Sequence, residues 1–179
     1  MKVFSHILFA GITIIALPFH NIAQTTILSE DFDSGTHSSW SNTEASGTSG
    51  KWEFDNPEGR PTPSLFSGSF AILDSDGHGN GANQKAKLTT PSFDASAYTT
   101  ITLEYDYQYR KWNGPEFCKV QIYDGSSWTT LITYEMADAN YSGSDHVSID
   151  ITTETGGNSN AKVRFYYKGS YDYWFALDN

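Results

Sequence analysis

The sequence predicts an all-β protein built as an antiparallel β-sandwich of the jelly-roll type, and three observations carry that prediction. Beyond residue 24 the apolar residues recur with period two, and no helical periodicity of useful length competes with it. Turn signals made of Gly, Pro, Asn, Asp and Ser divide the chain into short segments at regular spacing. Charged residues make up only 18% of the chain, against about a quarter in an average globular domain, and Thr, Ser, Gly, Asn and Tyr take their place. That mixture suits pleated strands and tight turns better than helices.

Residues 1–23 open with Lys2 and continue as an apolar stretch from Val3 to Phe19, the pattern of a signal peptide cut near Ala23 and Gln24. Ser5, His6, Thr13, Pro18 and His20 interrupt the run, which is short for a bilayer crossing. The mature domain, 24–179, is thus expected to be secreted or displayed at the cell surface, with no membrane span once the signal is removed. Short strands are predicted around Trp52 and Phe54, Phe70 and Ile72, and Ala86 and Leu88. Two long loops, 41–50 and 55–69, lie among them, and long loops on a rigid β scaffold are where binding usually occurs.

The clearest alternation runs from Thr100 to Tyr109. Ile101, Leu103, Tyr105, Tyr107 and Tyr109 fall on one face, and Thr102, Glu104, Asp106 and Gln108 on the other. A hairpin follows, with Asp124-Gly125-Ser126-Ser127 turning Gln121-Ile122-Tyr123 back into Trp128-Thr129-Thr130-Leu131-Ile132. Val147, Ile149 and Ile151, then Val163, Phe165 and Tyr167, repeat the rhythm. About ten strands are expected in all, in a single domain without repeats or linkers.

The chain carries 11 Lys and Arg against 21 Asp and Glu, a formal charge of −10, which becomes −11 when Lys2 leaves with the signal. That balance speaks against a nucleic-acid partner, which needs a concentrated basic excess, and leaves divalent cations as plausible partners. Cys118 cannot form an internal disulfide because it is the only cysteine. It alternates in phase with Val120 and Ile122 and reads as a small buried side chain.

Read in order, the landmarks form a pattern. Glu30-Asp31-Phe32-Asp33 is followed by Trp40, Lys51-Trp52, the stretch 68–77 ending Leu73-Asp74-Ser75-Asp76-Gly77, and the stretch 86–94 ending Pro91-Ser92-Phe93-Asp94. Leu103-Glu104-Tyr105, the segment 120–128, Val163-Arg164-Phe165-Tyr166-Tyr167 and Trp174-Phe175-Ala176-Leu177-Asp178-Asn179 complete it. Over residues 27–179 this resembles the MAM-like (concanavalin-like) jelly-roll domains, most closely the bacterial cleaved-adhesin and choice-of-anchor J modules of secreted Bacteroidetes proteins. The paired cysteines of animal MAM domains are missing, which fits the bacterial branch.

The resemblance implies a further apolar strand after the terminal Trp element, whereas the sequence stops at Asn179. A fold lacking its last strand, from the front end of a longer protein, is therefore expected. The resemblance also implies a structural Ca2+ ion held by Asp33, Asp74, Asp76 and Asp178, with Asp31 at its margin. Read from the residues alone, Asp74-Ser75-Asp76-Gly77-His78-Gly79 only partly mimics a calcium loop. His78 takes the fifth position, Lys85 the twelfth, and the competing reading is a solvated turn.

Trp112, Arg110 and Tyr109, in a segment that also holds Asp106, Gln108 and Lys111, are candidates for a sugar-stacking platform together with Tyr166, Tyr167, Tyr171, Tyr173 and Trp174 further on, since flat rings supply area and polar neighbours supply orientation. For Tyr105 and Tyr107 a place in the packed face is expected instead. No nucleophile elbow, zinc helix, Cys-x-x-Cys pair or phosphate loop is present, and His37, His78 and His146 read as ordinary surface residues. Two functions remain open. One is an exported, non-catalytic, calcium-stabilised adhesion module contacting an extracellular glycan or protein surface. The other is the accessory N-terminal domain of a secreted protease or polysaccharide-degrading enzyme whose catalytic domain lies beyond residue 179.

Overall fold

The computed structural model describes residues 24–34, 39–46 and 48–179; the predicted signal peptide and His37 lie outside them. Among the described residues nine strands form two antiparallel sheets that pack face to face, as the alternation predicts. The strands are β1 (Ser41–Glu44), β2 (Ala71–Asp74), β3 (Gln84–Thr89), β4 (Thr102–Arg110), β5 (Phe117–Tyr123), β6 (Trp128–Tyr134), β7 (Ser142–Asp150), β8 (Lys162–Gly169) and β9 (Trp174–Asp178). One sheet has the order β1-β3-β8-β5-β6 and the other β2-β9-β4-β7.

The odd-numbered residues of β4 point inward. Tyr105 and Tyr109 are buried, and Tyr107 stacks on Phe175 of β9 with its ring centroid 5.8 Å away. Phe175 sits at the centre of the sandwich, within 5.0 to 6.4 Å of the rings of Trp52, Tyr107, Tyr109 and Tyr134. The Tyr105 and Tyr134 hydroxyls satisfy each other at 2.7 Å, so two phenols enter the core without an orphaned polar group. Cys118 is fully buried as a small apolar residue, and burial raises its thiol pKa.

The predicted 121–132 hairpin is present. Gly125 adopts φ +93°, and the Asp124 carboxylate accepts the Ser126 and Ser127 amides, both at 2.7 Å. Three local expectations are corrected. Residues 41–44, expected in a loop, form edge strand β1 paired to β3. The Trp52–Phe54 segment makes only an isolated bridge through Glu53 to Ile72. One helical turn, Thr152–Thr155, follows β7 and ends at Gly156 in the left-handed region.

Along β4, β7 pairs from Thr102 to Arg110, whereas β9 pairs only from Asp106 to Arg110. Beside the stretch 102–105 lies a cleft of about 770 Å³ lined by residues 24–30, Ile101, Tyr105, Phe165 and Leu177. None of the helices among the described residues is long and apolar enough to cross a membrane.

Candidate functional site

With the odd-numbered residues of β4 in the core, its even-numbered residues face outward. On the outer face of the four-stranded sheet, the register sets Asp74, Trp174 and Arg110 side by side, then Ile72, Ala176 and Gln108. A third row holds Asp178, Asp106 and His146. Residues 60–70 lie across the β2 and β9 half of this face. There Phe66 and Phe70 pack on Ile72, Trp174 and Ala176, and the Ser67 amide donates to the Asp178 carboxylate at 2.8 Å. The β4 and β7 half is open. Glu104, Ser144, His146 and Ser148 are exposed and Gln108 is half-buried.

At the end of the open half stands an aromatic platform. Trp112 and Tyr173 are stacked with centroids 6.0 Å apart and planes 19° from parallel, and Tyr171 lies 6.2 Å from Trp112. Trp112 is 45% exposed and Tyr171 39%, which is unusual for such large rings. The Arg110 guanidinium sits under the platform, 5.5 Å from the Tyr173 ring and 5.3 Å from that of Trp174. Its Nε is buried without a hydrogen-bond partner. The Trp174 indole donates to Gln108 Oε1 at 2.9 Å and orients that amide at the platform's edge.

Asp172 holds the platform together. Its carboxylate, almost completely buried, accepts the Trp112 amide, the Gly114 amide at 2.7 Å and the Tyr173 amide at 2.8 Å. Asp172 also donates its own amide to Ser75 Oγ, which in turn donates to Gln84 Oε1. The loop carrying Trp112 and the turn carrying Tyr171 and Tyr173 are thus fixed to one buried acid. A carboxylate taking several amide donors is a strong, short-range tie.

Of the predicted ligand residues, Trp112 and Arg110 therefore lie at this site, and Tyr109 does not. Tyr109 is fully buried against Phe175, because it shares the inward phase of Tyr105 and Tyr107. Tyr171 and Tyr173 join Trp112, and Trp174 lies beneath, whereas Tyr166 and Tyr167 lie on β8 of the other sheet, Tyr167 in its core. Asp172 and Arg60 were not anticipated; Asp172 ties the platform through amides 60 and 58 residues away.

The predicted cation set is divided. The Arg60 guanidinium binds Asp74 through Nε at 2.5 Å and Nη2 at 3.0 Å, and Asp76 through Nη2 at 2.7 Å. Those two acids therefore share one guanidinium, whose single positive charge leaves them jointly negative. Asp33 and Asp178 meet elsewhere, on either side of Gly68. There Asp33 accepts the Ser69 amide at 2.7 Å, and the φ of +71° at Gly68 leaves space only for hydrogen where the Asp33 carboxylate approaches. Burial raises the Asp178 carboxyl pKa, opposed by bonds from the Ser67 and Asn179 amides, while Asp106 and Asp33 push it further up. Among the described residues no three of His, Cys, Asp and Glu stand close enough to hold a metal ion.

His146 Nδ1 lies 2.7 Å from Asp106 Oδ1 on the open face, and Asn179 Nδ2 donates to the other oxygen of Asp106 at 2.7 Å. This pair offers hydrogen-bonding edges to a polar ligand.

No family model and no curated protein matches the sequence. Solved structures do share its fold. The K1 cleaved adhesin domain of Lys-gingipain from Porphyromonas gingivalis W83 matches with a TM-score of 0.63 at 20% identity, over 86% of this chain and 95% of that one. The K3 cleaved adhesin domain of the same protein gives 0.57 at 18%, over 85% and 95%. The CBM27-1 module of Caldicellulosiruptor saccharolyticus, solved with mannohexaose, gives 0.53 at 22%, over 83% and 92%. The resemblance to cleaved-adhesin modules thus holds at the level of the fold.

Proposed function

We propose that this protein is an exported, non-catalytic binding module that contacts a glycan through the open half of its four-stranded sheet. The observation that carries the reading is the exposed Trp112 ring stacked on half-buried Tyr173, fixed by a buried acid above Arg110. Sugar rings present apolar C–H faces to aromatic planes and hydroxyls to fixed donors and acceptors. Trp112, Tyr171 and Tyr173 supply the planes; Arg110, Gln108 and the His146–Asp106 pair supply the polar edge. Because the platform is tied down in advance, little conformational entropy opposes binding. The fold shared with a module solved with mannohexaose makes mannans the first polysaccharides to try. Affinity electrophoresis through gels holding single neutral polysaccharides tests the reading. Retardation in at least one gel, lost in Trp112→Ala, is expected; unretarded migration in every gel overturns it.

The alternative, an accessory domain of a larger secreted protease or polysaccharide-degrading enzyme, is favoured by the likeness to adhesin domains that are parts of Lys-gingipain. It uses the same platform to hold the parent protein at its target. The calcium reading is kept in reduced form, at Asp33 and Asp178. Its support is the raised Asp178 carboxyl, whose repulsion with Asp33 and Asp106 a cation would relieve. Two carboxylates provide only part of the six to eight oxygens that calcium takes, so backbone carbonyls and water complete the set.

A further inference from the structure

The cations of this acidic chain are sorted to one side of the molecule. Of its 11 Lys and Arg, six stand at outward positions of β3, β8 and β5: Lys85, Lys87, Lys119, Lys162, Arg164 and Lys168. The outward positions of those three strands hold none of the 21 acids. The register places the cations in successive cross-strand rows, Lys85 beside Lys168, Lys87 and Lys119 flanking Tyr166, and Arg164 beside Gln121. The strip spans about 20 Å along the strands and about 10 Å across them.

Among the described residues the ion pairs are those of Arg60 with Asp74 and Asp76 and of His146 with Asp106, so none of the six has a carboxylate partner. Lys85 lies directly opposite Lys168, an arrangement that costs stability in a sheet. An isolated solvated face would intersperse the two signs, and this one does not.

We propose that the outer face of the five-stranded sheet is a second binding site, for an anionic polysaccharide bearing carboxylate or sulfate groups along its length. The strip is too small for a protein partner, about 200 Å² against the roughly 800 Å² that each side of a stable interface buries. Single-stranded nucleic acid needs bare ring faces for base stacking, and here the cations cover them. Arg164 lies 3.9 Å over the Trp128 ring, Lys119 4.7 Å over Phe117 and Lys87 5.4 Å over Tyr166. The rings thus hold the charged heads in place, and the heads face outward to a polymer whose charges repeat along its chain. The acidic remainder of the molecule repels such a polymer and confines it to this strip.

Biolayer interferometry with immobilised polygalacturonate, dextran sulfate and neutral dextran, and with a poly-dT oligonucleotide, tests the proposal. The wild-type protein is expected to bind at least one of the two anionic glycans but not dextran, and to be released as NaCl rises from about 0.05 to about 0.5 M. The triple variant Lys87→Gln, Lys119→Gln, Lys168→Gln should bind about tenfold more weakly. Lys51→Gln, outside the three strands that carry the strip, should bind as wild type. Thermal melts confirm that each variant is folded, and the pair Lys85→Gln, Lys168→Gln serves if the triple variant is not. No binding to either anionic glycan, undiminished binding by the folded variants, or binding of poly-dT as tight as that of the glycans overturns the proposal.

Discussion

Glu116 is a carboxyl enclosed by tyrosines. It is fully buried and takes the Tyr167 hydroxyl, with Tyr109 beside it. Burial pushes its pKa from 4.5 up to about 8, against the lowering effect of the bond from Tyr167. The folded state therefore holds a proton that the unfolded chain releases, and stability from this group falls as pH rises between about 4.5 and 8. Replacing it by Gln, which mimics the protonated form, should flatten this part of the melting profile. Melts of wild type and Glu116→Gln from pH 4 to 9 that stay parallel would contradict this. Single residues also mark how much of the site was legible in the sequence. Trp112 sits beside Asn113-Gly114-Pro115 and was recognisable as an open loop residue, whereas Tyr109 shares the inward phase of its strand and is core. Asp172, which fixes the platform, was not legible, because its role depends on amides about sixty residues away.

Strands that bury an apolar face were visible in the sequence; those held by backbone pairing alone were not. β4, β5, β7 and β8 alternate clearly, and their positions agree with the prediction. β1 reads Ser41-Asn42-Thr43-Glu44 and contains no apolar residue. It is an edge held by its ladder to β3 and by the bonds between Asn42 and the Trp52 backbone at 2.7 and 3.2 Å. Hydrophobic periodicity has nothing to register in such a strand. β9 has the opposite character, buried along its whole length in the middle of its sheet. Its Phe175 joins both sheets through four aromatic contacts, so Phe175→Ala should cost about 3–5 kcal/mol. Urea denaturation monitored by circular dichroism measures this, and a loss below about 1 kcal/mol would show that the core does not depend on that ring.

At the scale of the whole molecule, the net charge of −10 concealed how the charges are arranged. Six cations occupy the outer face of the five-stranded sheet, where the outward positions of β3, β5 and β8 hold no acid. Composition legibly restricted the partners, but only the strand register could separate the two faces. The four aspartates predicted as one cation site likewise divide into a pair bridged by Arg60 and a pair at Gly68. If calcium occupies the Asp33–Asp178 half, chelation with EDTA should lower the melting temperature by several degrees, and added Ca2+ should restore it. An unchanged melt would remove calcium from the account. The central claim is that the Trp112 platform is a glycan-binding surface. Isothermal titration of wild type and Trp112→Ala with the neutral polysaccharide that retards the protein most tests it directly. Loss of a single stacking ring should weaken binding about tenfold or more while leaving the melting temperature within a degree or two. A Trp112→Ala protein that binds as tightly as wild type would contradict the account.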